Sequence, residues 1–250
     1  MAALEGKRAI VTGGGTGVGA AIARALAGAG CEVVICGRQL ETLEAMAAEA
    51  SNVTPVTVDV TCEASVAKLF QDAGPFDIVV ANAGAADSAP LTRTSAELFD
   101  RMLDINLRGT FLTFREGLKA LDGRPWGRLI AVASTAGLKG YSYVSAYCAA
   151  KHGVVGLVRA AALEAAGSGI TVNALCPGFT DTPLLERSVA NIVSKTQSTP
   201  EDARATLART NPMGRLIDPD EVAAAALWLV GPGSDAVAGQ AISISGGETW

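Results

Sequence analysis

Seven short runs rich in Val, Ile and Ala recur along the chain, separated by longer Ala- and Leu-rich stretches. The runs lie at 8–12, 32–36, 54–58, 78–81, 128–133, 171–176 and 241–245. Most are apolar throughout rather than alternating, which is the pattern of strands covered on both faces. Helical patterns fall between them at 18–29, 40–49, 63–72, 95–120, 145–166 and 219–230. This alternation predicts an α/β fold: a doubly wound parallel sheet of about seven strands, with right-handed crossovers and helices on both faces. A length of 250 residues without repeat, charge block or linker suits one domain spanning 1–250. With 49% apolar residues, only 5% aromatics and 28 glycines, the core is built from small aliphatic side chains that allow close helix-on-sheet packing.

One stretch breaks the rhythm. Residues 179–213 are helical in composition but contain no strand, and carry Leu184, Leu185, Val189, Ile192, Val193 and Leu207. An insertion after the carboxyl end of a strand is where a substrate-covering lid sits in an open α/β sheet. The alternative is an extra packing helix pair.

Charge and cysteine usage narrow the function classes. The formal net charge is −5, opposite in sign to that of a non-specific nucleic-acid binder, so no nucleic-acid partner is expected. Five cysteines without Cys-x-x-Cys spacing and a single histidine, His152, argue against a metal site and for reduced thiols. The opening Met1-Ala2-Ala3-Leu4-Glu5-Gly6-Lys7 lacks a signal-peptide core, and no apolar run reaches the ~18–20 residues of a membrane span. The expectation is a cytoplasmic protein with no membrane partner.

Two local patterns carry chemistry. After the first strand comes Thr12-Gly13-Gly14-Gly15-Thr16-Gly17-Val18-Gly19-Ala20, opening onto a helix. Glycines there permit a tight turn and let backbone approach a pyrophosphate at the helix N-terminus. The better description is Gly13-x-x-x-Gly17-x-Gly19, because the common dinucleotide spacing fits only from Gly15 with Ala20 as the third small residue. The second strand then ends at Cys36-Gly37-Arg38, with no acid at positions 36 to 40. An acid here accepts from ribose hydroxyls, whereas arginine accommodates a 2′-phosphate. Arg38 therefore favours NADP(H), with NAD(H) the alternative if Arg38 is merely solvated or stacks on adenine.

The second pattern is Tyr147 with Lys151, four apart on a predicted helix and so on one face. A phenol titrates near ~10 unperturbed. At roughly 6 Å and an effective dielectric of about 20, an ammonium would favour the phenolate by about 2.8 kcal/mol, or roughly two pKa units. Such a tyrosine could exchange protons near neutrality. The plain alternative is a solvated helix face.

Together these motifs resemble the short-chain dehydrogenase/reductase family over nearly the whole chain. The resemblance rests on the Thr12–Gly19 turn, Asn82-Ala83-Gly84 after the fourth strand, Asn106 in Asp104-Ile105-Asn106-Leu107, Ser134, Tyr147 with Lys151, and Pro177-Gly178. Ala81 replaces the first asparagine of the common Asn-Asn-Ala-Gly form. The resemblance implies a single-domain Rossmann-type enzyme with catalytic Asn106, Ser134, Tyr147 and Lys151. Tyr147 would exchange a proton with the substrate oxygen, Ser134 would orient that oxygen, and Lys151 would lower the phenol's pKa and hold the nicotinamide ribose. Asn106 would help place a water linking Lys151 to solvent. Cofactor contacts are implied for Gly13, Gly15, Thr16, Gly17, Val18, Gly19, Arg38, Asp59, Val60, Asn82, Ala83, Gly84, Tyr147, Lys151, Pro177, Gly178 and Thr182. Duller roles stand beside some of these: Ser134 or Asp59 as a cap, Asn106 as a buried bend residue, Thr182 as a helix start.

Residues expected near the substrate oxygen are Ala85, Leu138, Tyr141, Tyr143, Val144, Phe179 and Leu184, a mainly apolar set suited to a ketone or secondary alcohol. The segments around Tyr147 and Asn173–Phe179 are similar to 3-ketoacyl reductases and also to 3-hydroxybutyrate-type dehydrogenases. The leading expectation is an NADP(H)-dependent carbonyl or 3-ketoacyl reductase, with an acyl thioester among the candidate substrates. The alternatives are an NAD(H)-dependent secondary-alcohol or 3-hydroxyacyl dehydrogenase, and a dinucleotide-sensing scaffold without turnover. The resemblance also implies a homotetramer.

Overall fold

A computed structural model describes residues 4–250. Seven strands form one sheet: β1 (Arg8–Thr12), β2 (Glu32–Gly37), β3 (Val53–Thr57), β4 (Ile78–Ala81), β5 (Gly127–Val132), β6 (Ile170–Pro177) and β7 (Ala241–Ile244). Their order is β3-β2-β1-β4-β5-β6-β7, and every neighbouring pair is parallel. The expected fold class holds, and all seven predicted strands form within a residue or so of their expected bounds.

Successive residues of a strand face opposite sides of a sheet, so continuous apolar runs feed two cores. Ala9, Val11, Val33, Ile35 and Val80 point to one face, under α1 (Gly17–Gly28) and α9 (Pro219–Val230). Ile10, Val34, Val79, Leu129 and Val172 point to the other, under α3 (Glu63–Ala73), α5 (Gly109–Leu121) and α6 (Ser145–Ala165). The remaining helices are α2 (Leu40–Ala47), α4 (Ala96–Leu103), α7 (Pro183–Lys195) and α8 (Pro200–Ala208).

Two outcomes differ from the periodicity. The single helix expected over 95–120 is split: between α4 and α5, residues Asp104–Arg108 form a π-helical turn. Such a turn inserts a residue, rotates the next helix about its axis, and is frequent at functional sites. The stretch 179–213 holds the expected strand-free helices, α7 and α8, each started by a capping threonine and a proline: Thr182-Pro183 and Thr199-Pro200. They enclose a small core of their own, Leu185, Val189 and Ala203, with Phe179, Ile192 and Leu207 packed on it.

The chain reverses direction across the sheet between β1 and β4, because β2 and β3 lie on one side and β5 to β7 on the other. In open parallel sheets a crevice forms outside the carboxyl ends of the strands at this switch point. The glycine turn, Asn82, Ser134 and Gly178 all lie just past those carboxyl ends.

Candidate active site

The first wall of the crevice is the turn from β1 into α1. Gly13 adopts φ +63, and a Cβ there would lie 2.9 Å from the Ala83 Cα. A Cβ on Gly19 would overlap Gly13 O and Asn82 Nδ2. Only glycine allows this contact between the turn and the end of β4. Thr12, which opens the glycine turn, locks it through a hydroxyl to which the sequence assigns no role: that hydroxyl accepts from Asn82 N at 2.9 Å and Ala83 N at 3.0 Å. Asn82 Nδ2 in turn donates to Thr12 O at 2.9 Å and Gly13 O at 3.1 Å. The first turn of α1 has no acidic residue and no side-chain cap from Thr16. Its backbone N–H groups are thus available to an anion.

The second wall comes from β5 and α6. Ser134 follows β5, and its hydroxyl accepts from Ala136 N at 3.1 Å on the same cavity wall as the Tyr147 phenol. It caps the turn that carries it into the cavity wall. Lys151 is buried, lies 5.6 Å from the Tyr147 ring centroid, and donates to Val132 O at 2.8 Å. The two side chains share a helix face, as their spacing predicts.

Their electrostatics differ from the simple pair. Enclosure pushes the Tyr147 phenol up to about 12, with the Ser134 hydrogen bond opposing the rise. Burial also lowers the Lys151 ammonium to about 8. Desolvation penalises the charged form of each group, and within the chain alone it outweighs the attraction inferred from spacing. The phenol is therefore protonated at neutral pH, beside an ammonium that still carries most of its charge.

Asn106 sits in the π-helical turn, fully buried. Its Nδ2 donates to Ala85 O and Met102 O, both at 2.9 Å, and its Oδ1 accepts from Ala85 N at 3.2 Å. All of these bonds go to backbone, so the side chain acts as a clamp on the segment after β4.

Between the walls lies a cavity of about 510 Å³. Gly13, Thr16, Gly17, Val18, Asn82, Ala83, Gly84, Asn106, Ser134, Tyr147, Lys151, Pro177, Gly178 and Thr182 all border it. So do Ala85, Tyr141, Tyr143, Val144, Phe179 and Leu184 from the expected substrate set. Leu138 does not; it packs into the core beneath α6. Gly15 borders a smaller adjoining hollow with Arg24 and Thr42. Arg38, Asp59 and Val60 lie at and beyond the carboxyl ends of β2 and β3, outside the main cavity walls. Asp59 Oδ1 accepts from Thr61 N at 2.9 Å and Thr61 Oγ1 at 2.7 Å, which holds its carboxyl below the usual range, with Arg38 contributing. This turn, rather than a direct cap of α3, is its structural task. Ser88, Thr135 and Ser188 border the cavity unannounced by any motif, and Ile192 of the expected lid borders it too. Tyr143 stands at the mouth with φ 71, a left-handed conformation costing a non-glycine residue about 1–3 kcal/mol. Its carbonyl accepts from Ala89 N at 2.8 Å, which ties two rim loops together.

A parallel sheet with a glycine-lined anion cradle, beside a hydroxyl, a phenol and an ammonium, defines a nicotinamide-dependent oxidoreductase architecture. The sequence model of the short chain dehydrogenase family matches residues 7–192. The chain belongs to that family. It is 36% identical over 253 residues to D-beta-hydroxybutyrate dehydrogenase of Cupriavidus necator, covering 98% of each chain. It is 31% identical over 248 residues to the 3-oxoacyl-acyl-carrier-protein reductase FabG of Rickettsia prowazekii, covering 99% of this chain and 98% of that one. It superposes with a TM-score of 0.92, at 36% identity and 99% coverage of both chains, on the crystal structure of actinorhodin polyketide ketoreductase with NADPH.

Proposed function

We propose that this protein is an oxidoreductase that transfers hydride between NADP(H) and a ketone or secondary alcohol, working as a 3-ketoacyl or related carbonyl reductase. The observation that carries this reading is the convergence of Ser134, Tyr147 and Lys151 on one wall of a mainly apolar cavity whose opposite wall is the glycine turn. Relatives named as 3-oxoacyl-acyl-carrier-protein reductase and polyketide ketoreductase support the substrate class. Initial rates with ketones, 3-ketoacyl thioesters and hydroxy acids, using both nicotinamide cofactors, test it.

The residues present fit the cofactor. The uncapped start of α1 would hold the pyrophosphate, and Asn82, Ala83 and Gly84 would border the middle of the molecule. Tyr147, Lys151, Pro177, Gly178 and Thr182 would border the nicotinamide end. When bound, the cofactor supplies the hydride. The chain's own part is protonic and positional. Ser134 accepts or donates a hydrogen bond at the substrate oxygen and fixes it against the Tyr147 Oη. Tyr147, protonated at rest, delivers its proton to that oxygen in the reductive direction. The Lys151 ammonium stabilises the phenolate left behind. Asn106 keeps Ala85 and the cavity wall in place through its backbone clamp. The segment 179–213 serves as a lid, since its inner residues Leu184, Leu185, Ser188 and Ile192 border the cavity.

Arg38 underlies the choice of NADP(H). It is exposed, and among the described residues it has no ion-pair or hydrogen-bond partner. One charge-assisted contact to a phosphate contributes about 1.5–3 kcal/mol, or roughly 10- to 150-fold in affinity. The kcat/KM for NADPH is therefore expected to exceed that for NADH by about that range, and Arg38→Asp to invert the preference. Equal efficiency in the wild type would favour the NAD(H)-dependent dehydrogenase reading, which the hydroxybutyrate dehydrogenase relative also supports.

The pH dependence comes from Lys151. For ketone reduction the free enzyme needs Tyr147 protonated and Lys151 charged. Tyr147 meets its condition up to about 12, whereas Lys151 meets its own only below about 8. The kcat/KM for reduction is expected to be level below about pH 7 and to fall toward ten-fold per pH unit above Lys151's value. A profile that stays level to about pH 10 would remove the Lys151 charge from the mechanism.

No helix among the described residues is long and apolar enough to cross a membrane. We propose a cytoplasmic location, with which five free cysteines, three of them buried, are compatible. A homotetramer is supported by exposed Phe99, Phe111 and Leu163 on α4, α5 and α6. Sedimentation at micromolar concentration would reveal a monomer if this is mistaken.

A further inference from the structure

Tyr141 borders the substrate side of the cavity, and its hydroxyl is held in a part-buried polar network. Its Oη lies 2.6 Å from Glu248 Oε1 and 2.6 Å from Thr135 Oγ1. A carboxylate can only accept, so the phenol donates to Glu248 and the threonine hydroxyl donates to the phenol. Lys139 closes the set, with its Nζ 3.1 Å from Glu248 Oε1 and 4.9 Å from the Tyr141 ring centroid. On its other side the ring meets Phe179 edge-on, with centroids 6.0 Å apart.

Glu248 is the unexpected member. Its side chain is 1% exposed, and Oε2 has no hydrogen-bond partner among the described residues. A Cβ on Gly178, a cavity residue, would sit 3.1 Å from that oxygen. Burying a carboxylate with one oxygen unsatisfied costs free energy that a single half-exposed lysine does not fully offset. Stability alone would favour an apolar residue here. What the carboxylate achieves is geometric: it joins the segments following β5, β6 and β7 at one aromatic ring.

We propose that Glu248 is a positioning residue for substrate selection, acting through the Tyr141 hydroxyl to hold that ring as a rigid wall of the cavity. The proposal rests on the ketone-reductase reading of the site and deepens it. With the phenol proton committed to Glu248, enclosure and the neighbouring carboxylate push the Tyr141 pKa well above the tyrosine range. Tyr141 has its proton engaged by Glu248 and does not offer it to a substrate oxygen. The face it offers to substrate is aromatic carbon, which suits an apolar or planar group beside the reacting carbonyl and rejects bulk that needs the ring to move.

The test is a selectivity ratio. A compact acyclic 3-ketoester and a fused bicyclic ketone are compared in wild type, Glu248→Ala, Glu248→Gln, Tyr141→Phe and the double variant Glu248→Ala/Tyr141→Phe. Releasing the ring in Glu248→Ala is expected to raise KM for the compact ketone about five-fold, through the added cost of ordering a mobile wall. Its kcat should change less, and the preference for the compact over the bicyclic ketone should shrink. Glu248→Gln retains an acceptor for the phenol and should restore most of the ratio. In the Tyr141→Phe background, Glu248→Ala should add little. Equal losses on both ketones, a kcat effect without a KM effect, or an undiminished effect of Glu248→Ala on Tyr141→Phe would each overturn the proposal. Turnover of either ketone by the wild type tests the underlying reading separately. Dissociation constants of the two ketones give the same ratio without turnover, so the role of Glu248 is decided even if that reading fails.

Discussion

Replacing Tyr147 with phenylalanine is expected to lower kcat about a thousand-fold or more, within or beyond the range that positioned acid–base groups contribute. Cofactor affinity should stay within about three-fold of wild type, because the ring remains and only the hydroxyl is removed. The loss should appear in kcat and kcat/KM alike, as it does for an interaction made only in the transition state. Fluorescence titration with NADPH alongside steady-state kinetics would check both halves. Retained turnover would release Tyr147 from proton transfer and turn attention to Ser134, the neighbouring hydroxyl on the same cavity wall.

The second large effect concerns the cradle. Gly19→Ala should weaken cofactor binding by about 30-fold or more and lower Tm, despite alanine's helix propensity advantage of about 0.8–1.0 kcal/mol over glycine. The added methyl would overlap Gly13 O and Asn82 Nδ2, the same two atoms that join the turn to β4. Overpacking a rigid contact costs about 1–3 kcal/mol or more. Here it must also displace Asn82 from Thr12 and Gly13, so the penalty falls where the cofactor would lie. Calorimetric titration with NADPH and a thermal melt separate the local loss from general unfolding. Unchanged affinity would mean that the turn does not hold the pyrophosphate.

Much of the fold was legible because parallel strands must be apolar on both faces, so each β run stood out by composition alone. The proximity of Tyr147 and Lys151 was legible because helix geometry fixes what residues four apart can share. Less visible features depended on contacts distant in sequence. The π-helical turn at Asp104–Arg108 is held by Asn106 bonding Ala85 and Met102, and no periodicity announces it. Thr12 reads as an ordinary strand end until Asn82, seventy residues away, folds against it. Leu138 comes soon enough after Ser134 to suggest the cavity, but the short helix at Thr135–Gly137 turns it into the core. Spacing overstates the tyrosine's acidity for a related reason: Coulomb attraction can be read from it, whereas desolvation depends on everything packed around the pair.

On the proposed function, hydride reaches a carbonyl carbon in this cleft while Tyr147 protonates its oxygen. The most direct measurement is a single-turnover reaction of excess enzyme with NADPH and a 3-ketoester, tracking loss of the reduced nicotinamide absorbance and product by chromatography. One alcohol should form per NADPH consumed. Tight NADPH binding with no oxidation across 3-ketoesters, 3-ketoacyl thioesters and cyclic ketones would contradict it.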